Sequence, residues 1–278
     1  GIIGLGNIGR QHAAALTAGV IPNATLAAVC TINEEKLAAF QQQHPGVRAF
    51  TTRGDLFDSR SCDAVIVAGP HYSHVPIALD AFAKNLHVLV EKPLAVSLSA
   101  AQILVDAWQT TYRHLKFGIM FNQRTHPLYQ KIKSLIAAGE LGHLSRISWT
   151  ITNWFRPDAY YKTGSWRATW KGEGGGVLIN QCPHNLDLLL WTTGLMPSRI
   201  TAVGFTGKHH PIEVEDEVSA ILEYPASPTT QDAETRPSGS VGAGGIVSGD
   251  GVPPIGHFIT TNGEFPGSNR LEIAGSRG

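Results

Sequence analysis

The sequence predicts an α/β protein of two domains: a doubly wound parallel sheet comes first, and a helix-backed, largely antiparallel sheet follows. Three observations support this prediction. The chain has 278 residues, which is more than one domain usually holds. Short apolar runs alternate with helical patterns as far as Met120, as in repeated βαβ units. After Met120 long strand patterns dominate, which is typical of an α+β domain.

The first part contains five predicted strands and four predicted helices. The predicted strands are residues 1–4, 25–30, 63–68, 86–90 and 115–120. The predicted helices are residues 8–19, 34–43, 72–84 and 98–109. The run 64–68 is apolar at every position, as expected when helices cover both faces of a parallel sheet.

The second part has helical patterns at 128–138 and 183–191. Its predicted strands are residues 144–154, 199–204, 218–224, 255–261 and 270–274. Because the stretch 225–254 is rich in Pro, Gly, Ser and Thr, we predict a flexible surface loop there. The domains are predicted to span 1–121 and 122–278. The sequence begins in the middle of a strand pattern and ends where a strand pattern runs into a turn, so we expect a fragment of a longer chain with an incomplete second domain.

The composition argues against several classes of function. Lys+Arg and Asp+Glu both number 22, and the resulting zero net charge disfavours nucleic acid or an anionic membrane surface as a partner. No apolar run approaches the roughly 20 residues that span a bilayer. Cys30, Cys62 and Cys182 lie far apart, and the first two fall in or beside apolar strand patterns. We expect reduced thiols there and therefore a cytoplasmic protein.

A glycine motif connects the first predicted strand to the first predicted helix. It reads Gly4-Leu5-Gly6-Asn7-Ile8-Gly9, the GxGxxG pattern in the context that dinucleotide binding requires. Gly4 permits the tight turn, Gly6 lets the backbone approach a pyrophosphate, and Gly9 lets the helix pack closely on the strand. The pyrophosphate would face the N–H groups of the helix N-terminus. We predict a Rossmann dinucleotide-binding domain; an ordinary glycine turn is the alternative.

The residue after the second strand leaves the choice between NAD and NADP open. An acidic residue normally binds the ribose hydroxyls of NAD at this position, and here Thr31 occupies it. A neutral hydroxyl does not repel a 2′-phosphate. However, Glu34 and Glu35 follow, Lys36 is the only nearby cation, and no arginine comes next in the sequence to bind such a phosphate.

The fourth predicted strand ends in Glu91-Lys92-Pro93. Ligands of open α/β sheets bind at the carboxyl ends of the strands, so we expect Lys92 to project into the cofactor crevice. A lysine there can donate a hydrogen bond to a substrate hydroxyl or carbonyl and polarise it. A solvated surface lysine is the alternative.

Polar residues recur at helical spacing in an apolar segment after Gly174-Gly175-Gly176. Asn180, His184 and Asp187 stand at i, i+4 and i+7, so we expect them to share one face of a helix. Histidine is suited to proton exchange at neutral pH, which oxidation of a secondary alcohol requires. The alternatives are a structural histidine bonded to Asp187 and, with weaker support, a zinc site that includes Cys182. We expect the pair His209-His210 to lie on an exposed turn.

Together, the glycine motif, Glu91-Lys92-Pro93 and the segment from Gly174 to Asp187 resemble the Gfo/Idh/MocA oxidoreductases over essentially the whole chain. This resemblance implies a Rossmann domain followed by an α/β domain with an open, mostly antiparallel sheet, often used for homo-oligomerisation as a dimer or tetramer. It also implies that Lys92 matches the lysine of the EKP motif and that His184 matches the proton-transferring histidine. Asn180 departs from the family pattern, because many members carry an aspartate there that assists this histidine.

The resemblance extends to residues that border the cofactor and the substrate. Pro70, His71 and His74 match the family stretch beside the cofactor, as Glu91 and Lys92 do. Substrate contacts are less specific, and a cluster of aromatic side chains between domains is an equal alternative for some of them. The candidate substrate-binding residues are Asn122, Arg124, Tyr160, Tyr161, Trp166, Arg167, Trp170 and His184.

The sequence therefore predicts an NAD- or NADP-dependent oxidoreductase that acts on a secondary alcohol of a sugar, glycoside or inositol-like polyol. His184 would be the general acid/base, Lys92 the hydroxyl-polarising residue, and Asn180 and Asp187 orienting groups. No metal is expected. The alternatives are a glycosidase or lyase that retains NAD and oxidises its substrate transiently, and a non-catalytic dinucleotide-binding protein.

Overall fold

A computed structural model describes residues 1–162, 166–225 and 252–278. The chain divides into two compact units: Gly1–Met120 with Lys171–Gly174, and Phe121–Trp170 with Gly175–Gly278. Most of the loop predicted at 225–254 lies outside the described residues. Among the described residues, no helix combines the length and the apolar character needed to cross a membrane.

The first unit is a doubly wound parallel sheet, as predicted. Its strands are β1 (Ile2–Ile3), β2 (Ala28–Cys30), β3 (Arg48–Phe50), β4 (Ala64–Val67), β5 (His87–Val90) and β6 (Phe117–Ile119). Its helices are α1 (Asn7–Thr17), α2 (Glu34–Gln43), α3 (Arg53–Asp58), α4 (His74–Ala83) and α5 (Leu98–Thr110). The strand order is β3-β2-β1-β4-β5-β6, and all neighbours are parallel. The chain order reverses between β1 and β4, the switch point where such sheets bind ligands.

Two elements of this unit escaped the sequence prediction. β3 contributes three residues at the edge of the sheet, and its first residue, Arg48, is exposed. α3 has six residues and starts after Thr52, whose hydroxyl oxygen accepts a hydrogen bond from the Asp55 N–H at 3.2 Å. Both are too short for a hydrophobic period to be read along the sequence. The central strands are the recognisable ones, because residues such as Val65 and Val67 are fully buried.

The second unit is built on a five-stranded sheet that is mostly antiparallel, as predicted. Its strands are β7 (Leu144–Ile151), β8 (Arg199–Thr206), β9 (Glu215–Glu223), β10 (Ile255–Thr261) and β11 (Asn269–Gly275). Its helices are α6 (Pro127–Ala137), α7 (Asp158–Tyr161), α8 (Val177–Asn180) and α9 (Pro183–Thr193). The order is β11-β7-β10-β9-β8, in which only the pair β7 and β10 is parallel among the described strands. Trp149, Leu188 and Phe258 are buried in its core.

The single helix predicted through Asn180, His184 and Asp187 is wrong. α8 ends at Asn180, and α9 begins at Pro183. Proline has no N–H to continue the helical ladder, and its ring clashes with the carbonyl four residues earlier. Asn180 therefore lies on a separate short helix, whereas His184 and Asp187 lie on α9.

The exposed turn predicted for His209-His210 is also wrong for its second residue. Only 5% of His210 is exposed. Its Nδ1 lies 2.9 Å from Asp158 Oδ1, and its ring lies 5.1 Å from that of Tyr161. Polar neighbours brought in from α7 make this burial possible, and they are distant in the sequence.

Candidate functional site

The glycine loop after β1 has three glycines with three different environments. Gly4 has φ +104°, and a Cβ there would lie 2.5 Å from the Ala68 carbonyl oxygen. A Cβ on Gly9 would lie 1.9 Å from the Gly4 carbonyl oxygen. A Cβ on Gly6 would meet no atom within 4 Å. Gly4 and Gly9 are therefore needed for packing, whereas Gly6 keeps its backbone open on the outer side of the loop.

The rest of the loop starts α1. Asn7 is the first residue of α1, and its Oδ1 accepts a hydrogen bond from Arg10 Nη2 at 2.9 Å. Ile8 is 38% exposed, although it is a large apolar residue. The N-cap residue of α1, Gly6, has no side chain that could cap the first turn. Its N–H groups are thus disposed as an anion such as a pyrophosphate requires.

A pocket of about 610 Å³ lies in the first unit at the carboxyl ends of β1, β2 and β4. It brings together Gly4, Thr31 and Pro70, three of the predicted cofactor-binding residues. Residues 51–54, between β3 and the start of α3, form another wall. The open backbone at Gly6 and this pocket fit an extended dinucleotide: the loop offers N–H groups to the pyrophosphate, and the pocket offers a largely apolar cavity to the adenosine end.

His71 and His74, predicted to border the cofactor, are both buried. His71 Nδ1 donates to the Glu173 carbonyl at 2.8 Å. The ring nitrogens of His74 lie 2.7 Å from the Pro93 carbonyl oxygen and 2.9 Å from the Gly69 carbonyl oxygen. Burial lowers the pKa of His74, and the hydrogen bonds to these two carbonyls oppose that shift. His74 thereby ties the loop after β4 to the Glu-Lys-Pro turn, and its cofactor contact stays a prediction.

The Glu-Lys-Pro turn follows β5, and its glutamate is buried. Only 5% of Glu91 is exposed, and its Oε1 accepts a hydrogen bond from His12 Nε2 at 2.6 Å. Its Oε2 accepts one from the Lys92 N–H at 3.2 Å. The carboxylate therefore holds the backbone of Lys92 and ties it to α1. Lys92 follows the carboxyl end of β5, and its projection into the cofactor crevice stays a prediction.

Among the predicted residues of the second unit, the structure pairs Arg124 with Asp187. Arg124 Nε donates to Asp187 Oδ2 at 2.8 Å, and Arg124 Nη2 bonds Oδ1. The Asp187 side chain is 9% exposed and that of Arg124 is 42% exposed. The His184 ring lies in the first turn of α9, with its centroid 6.1 Å from that of Phe121. Asp187 thus forms an ion pair with Arg124, and its predicted relation to His184 stays a prediction.

The three glycines before α8 form a sharp turn that sets the start of this helix. A Cβ on Gly176 would lie 1.9 Å from the Glu215 carbonyl oxygen. The Glu215 carboxylate accepts hydrogen bonds from the N–H groups of Gly176 at 2.9 Å and Leu178 at 3.1 Å. β9 thereby fixes the turn that precedes Asn180 and, after it, His184. The sequence contained no signal for this role of Glu215.

Arginine and aromatic side chains cluster near α7. Arg167 Nη1 donates to the Tyr160 hydroxyl at 2.5 Å, and its guanidinium lies 4.5 Å from the ring centroids of both Tyr160 and Trp166. Asn122 stands in a short turn before α6, where its carbonyl accepts from the Thr125 hydroxyl at 2.7 Å. The substrate contacts predicted for these residues stay predictions. Within the described ranges, no group of three or more His, Cys, Asp or Glu residues could hold a metal ion.

Comparisons with known proteins cover both units. Residues 1–118 match the family model described as oxidoreductase family, NAD-binding Rossmann fold. Residues 129–234 match the model described as GFO/IDH/MocA C-terminal domain.

Curated relatives agree with these matches. Over 199 residues the chain is 30% identical to the rhizopine catabolism protein MocA of Rhizobium meliloti, which covers 71% of this chain and 58% of that protein. Over 147 residues it is 38% identical to glucose-6-phosphate 3-dehydrogenase of Bacillus subtilis, which covers 53% of this chain and 40% of that enzyme. The chain thus spans about half the length of these relatives.

A solved structure shows the same fold. The WlbA dehydrogenase from Bordetella pertussis, crystallised in complex with NADH and UDP-GlcNAcA, matches with a TM-score of 0.82 at 24% sequence identity. The match covers 99% of this chain and 74% of that chain.

Proposed function

Because the chain belongs to the Gfo/Idh/MocA oxidoreductase family, we propose that it is an NAD(P)-dependent dehydrogenase acting on a secondary alcohol of a sugar, glycoside or inositol-like polyol. The observation that carries this proposal is the glycine loop, in which Gly4 and Gly9 are required by packing while Gly6 leaves the backbone open. Similarity to glucose-6-phosphate 3-dehydrogenase supports a carbohydrate-like substrate. The bound nicotinamide would supply the acceptor or donor of the hydride.

The chain's own residues would move the proton and hold the alcohol. His184 would take the hydroxyl proton during oxidation and return it during reduction, a task for which imidazole is suited near neutral pH. Lys92 would donate a hydrogen bond to the same oxygen and stabilise its developing negative charge. The bond from the Lys92 N–H to the buried Glu91 carboxylate fixes the backbone from which that side chain projects.

The orienting roles of Asn180 and Asp187 differ in their structural support. Asn180 ends α8, just before the turn that leads to His184, so an amide contact with the imidazole or the substrate is consistent with its place. Asp187 pairs with Arg124 and would position that guanidinium for a substrate oxygen. Asn122, Tyr160, Trp166 and Arg167 remain the further substrate-binding candidates.

We also propose that the protein is a homo-oligomer, a dimer or a tetramer. β8 is exposed along its whole length, and large apolar residues stand exposed on β8, β9 and β10. Val203, Phe205, Ile221 and Ile259 are 60%, 47%, 41% and 39% exposed. Apolar surface of this kind marks interfaces.

Cys30 and Cys62 are free thiols, which fits the reducing cytoplasm.

The function is tested by binding and turnover measured separately. Fluorescence titration with NADH and NADPH first gives the dissociation constants, and a panel of sugars and polyols then gives turnover with either cofactor. His184→Ala and Lys92→Ala should each lower single-turnover hydride transfer by about 100- to 10,000-fold while dinucleotide binding survives. The matched controls are His143→Ala and Lys116→Ala, since both of these residues are exposed.

The other outcomes distinguish the alternatives. Near-normal hydride transfer in His184→Ala or Lys92→Ala removes the corresponding assignment. Product formed from a glycoside without net reduction of added cofactor identifies the glycosidase or lyase that retains its NAD. Tight dinucleotide binding with no turnover on any substrate favours the non-catalytic protein.

A further inference from the structure

The pocket of about 610 Å³ at the carboxyl ends of β1, β2 and β4 has one positively charged residue in its described lining. Of its lining residues in the described part of the chain, Arg53 alone is charged. Glu34 and Glu35, which follow β2 in the sequence, are exposed and are not among those lining residues. Asp55 lies nearby outside the lining, where its carboxylate accepts a hydrogen bond from the Thr52 hydroxyl at 2.7 Å. The charged group in the described wall of the pocket is therefore a cation, which can pair with an anion.

The strand end that would meet the adenosine ribose has no carboxylate. Thr31 lines the pocket directly after β2, and its backbone N–H donates to the Phe50 carbonyl at 3.1 Å. A carboxylate at this place would bind the two ribose hydroxyls and repel a 2′-phosphate. A threonine hydroxyl does not repel this phosphate and can donate a hydrogen bond to it. Thr31 and Arg53 thus offer a neutral donor and a cation in the same pocket.

Arg53 is held by a partner that it can exchange. Its Nε and Nη2 both lie 2.8 Å from Asp80 Oδ2. The two side chains are 45% and 50% exposed, and ion pairs so exposed contribute little to stability. A phosphate dianion offers the guanidinium more charge and a bidentate geometry. Arg53 can therefore turn from Asp80 to a phosphate at small cost.

We infer that this chain binds NADP(H) in preference to NAD(H), and that Arg53 and Thr31 receive the 2′-phosphate. The inference rests on the proposed function, because it assigns this pocket to the adenosine end of the dinucleotide. No arginine directly follows β2 in the sequence, and Arg53 supplies the guanidinium instead. It comes from the start of α3, 22 residues after Thr31 in the sequence.

The test measures binding and needs no turnover. Dissociation constants are determined by calorimetry for NADPH, for NADH, and for adenosine 2′,5′-bisphosphate against 5′-ADP, which separates the phosphate from the nicotinamide. Arg53→Ala should weaken binding of NADPH and of the bisphosphate by roughly ten- to a hundredfold and leave NADH within about twofold. Arg113→Ala, which removes an exposed arginine elsewhere in the first unit, is the matched control and should change neither. Thr31→Asp should reverse the preference toward NADH.

The outcomes separate this inference from the function on which it rests. Equal or tighter binding of NADH by the unaltered protein, or an unchanged NADPH affinity in Arg53→Ala, overturns the NADP(H) assignment and leaves the dehydrogenase intact. Failure of the folded protein to bind either dinucleotide overturns both. Thermal unfolding of each variant checks that an affinity change does not come from a loss of the fold.

Discussion

His12 Nε2 lies 2.6 Å from Glu91 Oε1, and this hydrogen bond joins the helix of the glycine loop to the turn that carries Lys92. The two residues are 79 positions apart in the sequence. Their side chains are 17% and 7% exposed, so solvent competes little for the bond. The loop proposed to hold the cofactor and the lysine proposed to polarise the substrate are thereby parts of one hydrogen-bonded framework.

We expect His12→Ala to destabilise the protein and to reduce turnover more than dinucleotide binding. Removal of the imidazole leaves the buried Glu91 carboxylate without this donor, at a cost of about 1–3 kcal/mol in the free energy of unfolding. The Glu91 carboxylate, which accepts a hydrogen bond from the Lys92 N–H, is then held less firmly, and the Lys92 backbone with it. Urea unfolding gives the stability, and single-turnover kinetics give the chemical step. His12→Gln, which keeps a donor, should recover part of both; a His12→Ala protein of unchanged stability and rate would show that the bond has no such role.

Gly6→Ala and Gly9→Ala should separate binding from folding within one loop. The added methyl group at Gly6 meets no protein atom within 4 Å, so stability should change by less than about 0.5 kcal/mol. It would occupy the side on which a pyrophosphate approaches, so dinucleotide affinity should fall by about tenfold or more. The methyl group at Gly9 would lie 1.9 Å from the Gly4 carbonyl oxygen, and such overpacking costs about 1–3 kcal/mol or more.

Thermal unfolding and fluorescence titration of the two variants check this prediction. A Gly6→Ala protein that binds the dinucleotide normally would remove the loop from the binding site. A Gly9→Ala protein of normal stability would show that the helix can retreat from β1 without loss.

The first sheet and the positions of the motifs were predictable because each depends on residues close together in the sequence. The central strands are largely buried, so they appear as continuous apolar runs such as 64–68, in which Val65, Val67 and Ala68 are buried. The glycine loop was recognisable because its own residues set its backbone conformation. By contrast, β3 and α3 were missed because three and six residues are too few to show a period.

The partners of the candidate residues could not be predicted in the same way. Arg53 reaches the pocket from a different strand-helix connection than the one that carries Thr31, and only the parallel order of β2 and β3 makes them neighbours. His12 and Glu91 meet because α1 follows β1 and Glu91 follows β5, and the carboxyl ends of these parallel strands lie at one edge of the sheet. Asn180 and His184 were assigned to one helix because their spacing fits one, and Pro183 prevents it.

Arg124 and Asp187 should show coupled losses of stability if their ion pair is structural. Arg124→Ala leaves Asp187, which is 9% exposed, without its bidentate partner. Because Arg124 itself is 42% exposed, we expect the free energy of unfolding to fall by about 1–3 kcal/mol. This is less than the roughly 3–5 kcal/mol lost when a fully buried ion pair is broken. A double-mutant cycle with Asp187→Ala measures the coupling by urea unfolding. Arg199→Ala, at a 73% exposed arginine of the same unit, is the control and should be nearly neutral.

The same variant also tests the substrate role of Arg124. A raised KM with normal stability would assign Arg124 to substrate binding rather than to the support of α9. Loss of stability without a change in KM among the folded molecules would assign Arg124 to the support of α9 alone.

Asp216 should be among the most sensitive positions of the second unit. It is fully buried, and its carboxylate accepts hydrogen bonds from the N–H groups of Lys208, His209 and His210 at 3.1, 2.7 and 3.2 Å. Asp216→Ala would leave these donors without their acceptor, and we expect a loss of about 3 kcal/mol in the free energy of unfolding. Asp216→Asn keeps one acceptor oxygen and should lose less. Glu264→Ala removes an exposed carboxylate and serves as the control; equal stability of all three variants would contradict the prediction.

Cys30 should be an unreactive thiol in the folded protein at about pH 8. Burial raises its pKa to about 11; Asp55 adds to this shift and Arg53 opposes it. The reactive species is the thiolate, so a disulfide reagent should modify the partly exposed Cys62 first and Cys30 only on unfolding. In the unfolded chain the Cys30 thiol loses its proton from about pH 8.5, whereas in the folded chain it keeps it until about pH 11. The unfolded state then binds fewer protons, so stability should fall as the pH rises through this window.

Labelling at several pH values in the Cys62→Ser background measures the reactivity of Cys30 directly, because the substitution removes the more exposed thiol from the signal. Cys30→Ala should lose part of the fall in stability between about pH 9 and pH 11. Rapid labelling of Cys30 in the folded protein at about pH 8 would contradict the burial of this thiol at the end of β2. Slower labelling of Cys30 in the presence of NADPH would further support the placement of the adenosine end in this pocket, since Cys30 lines it.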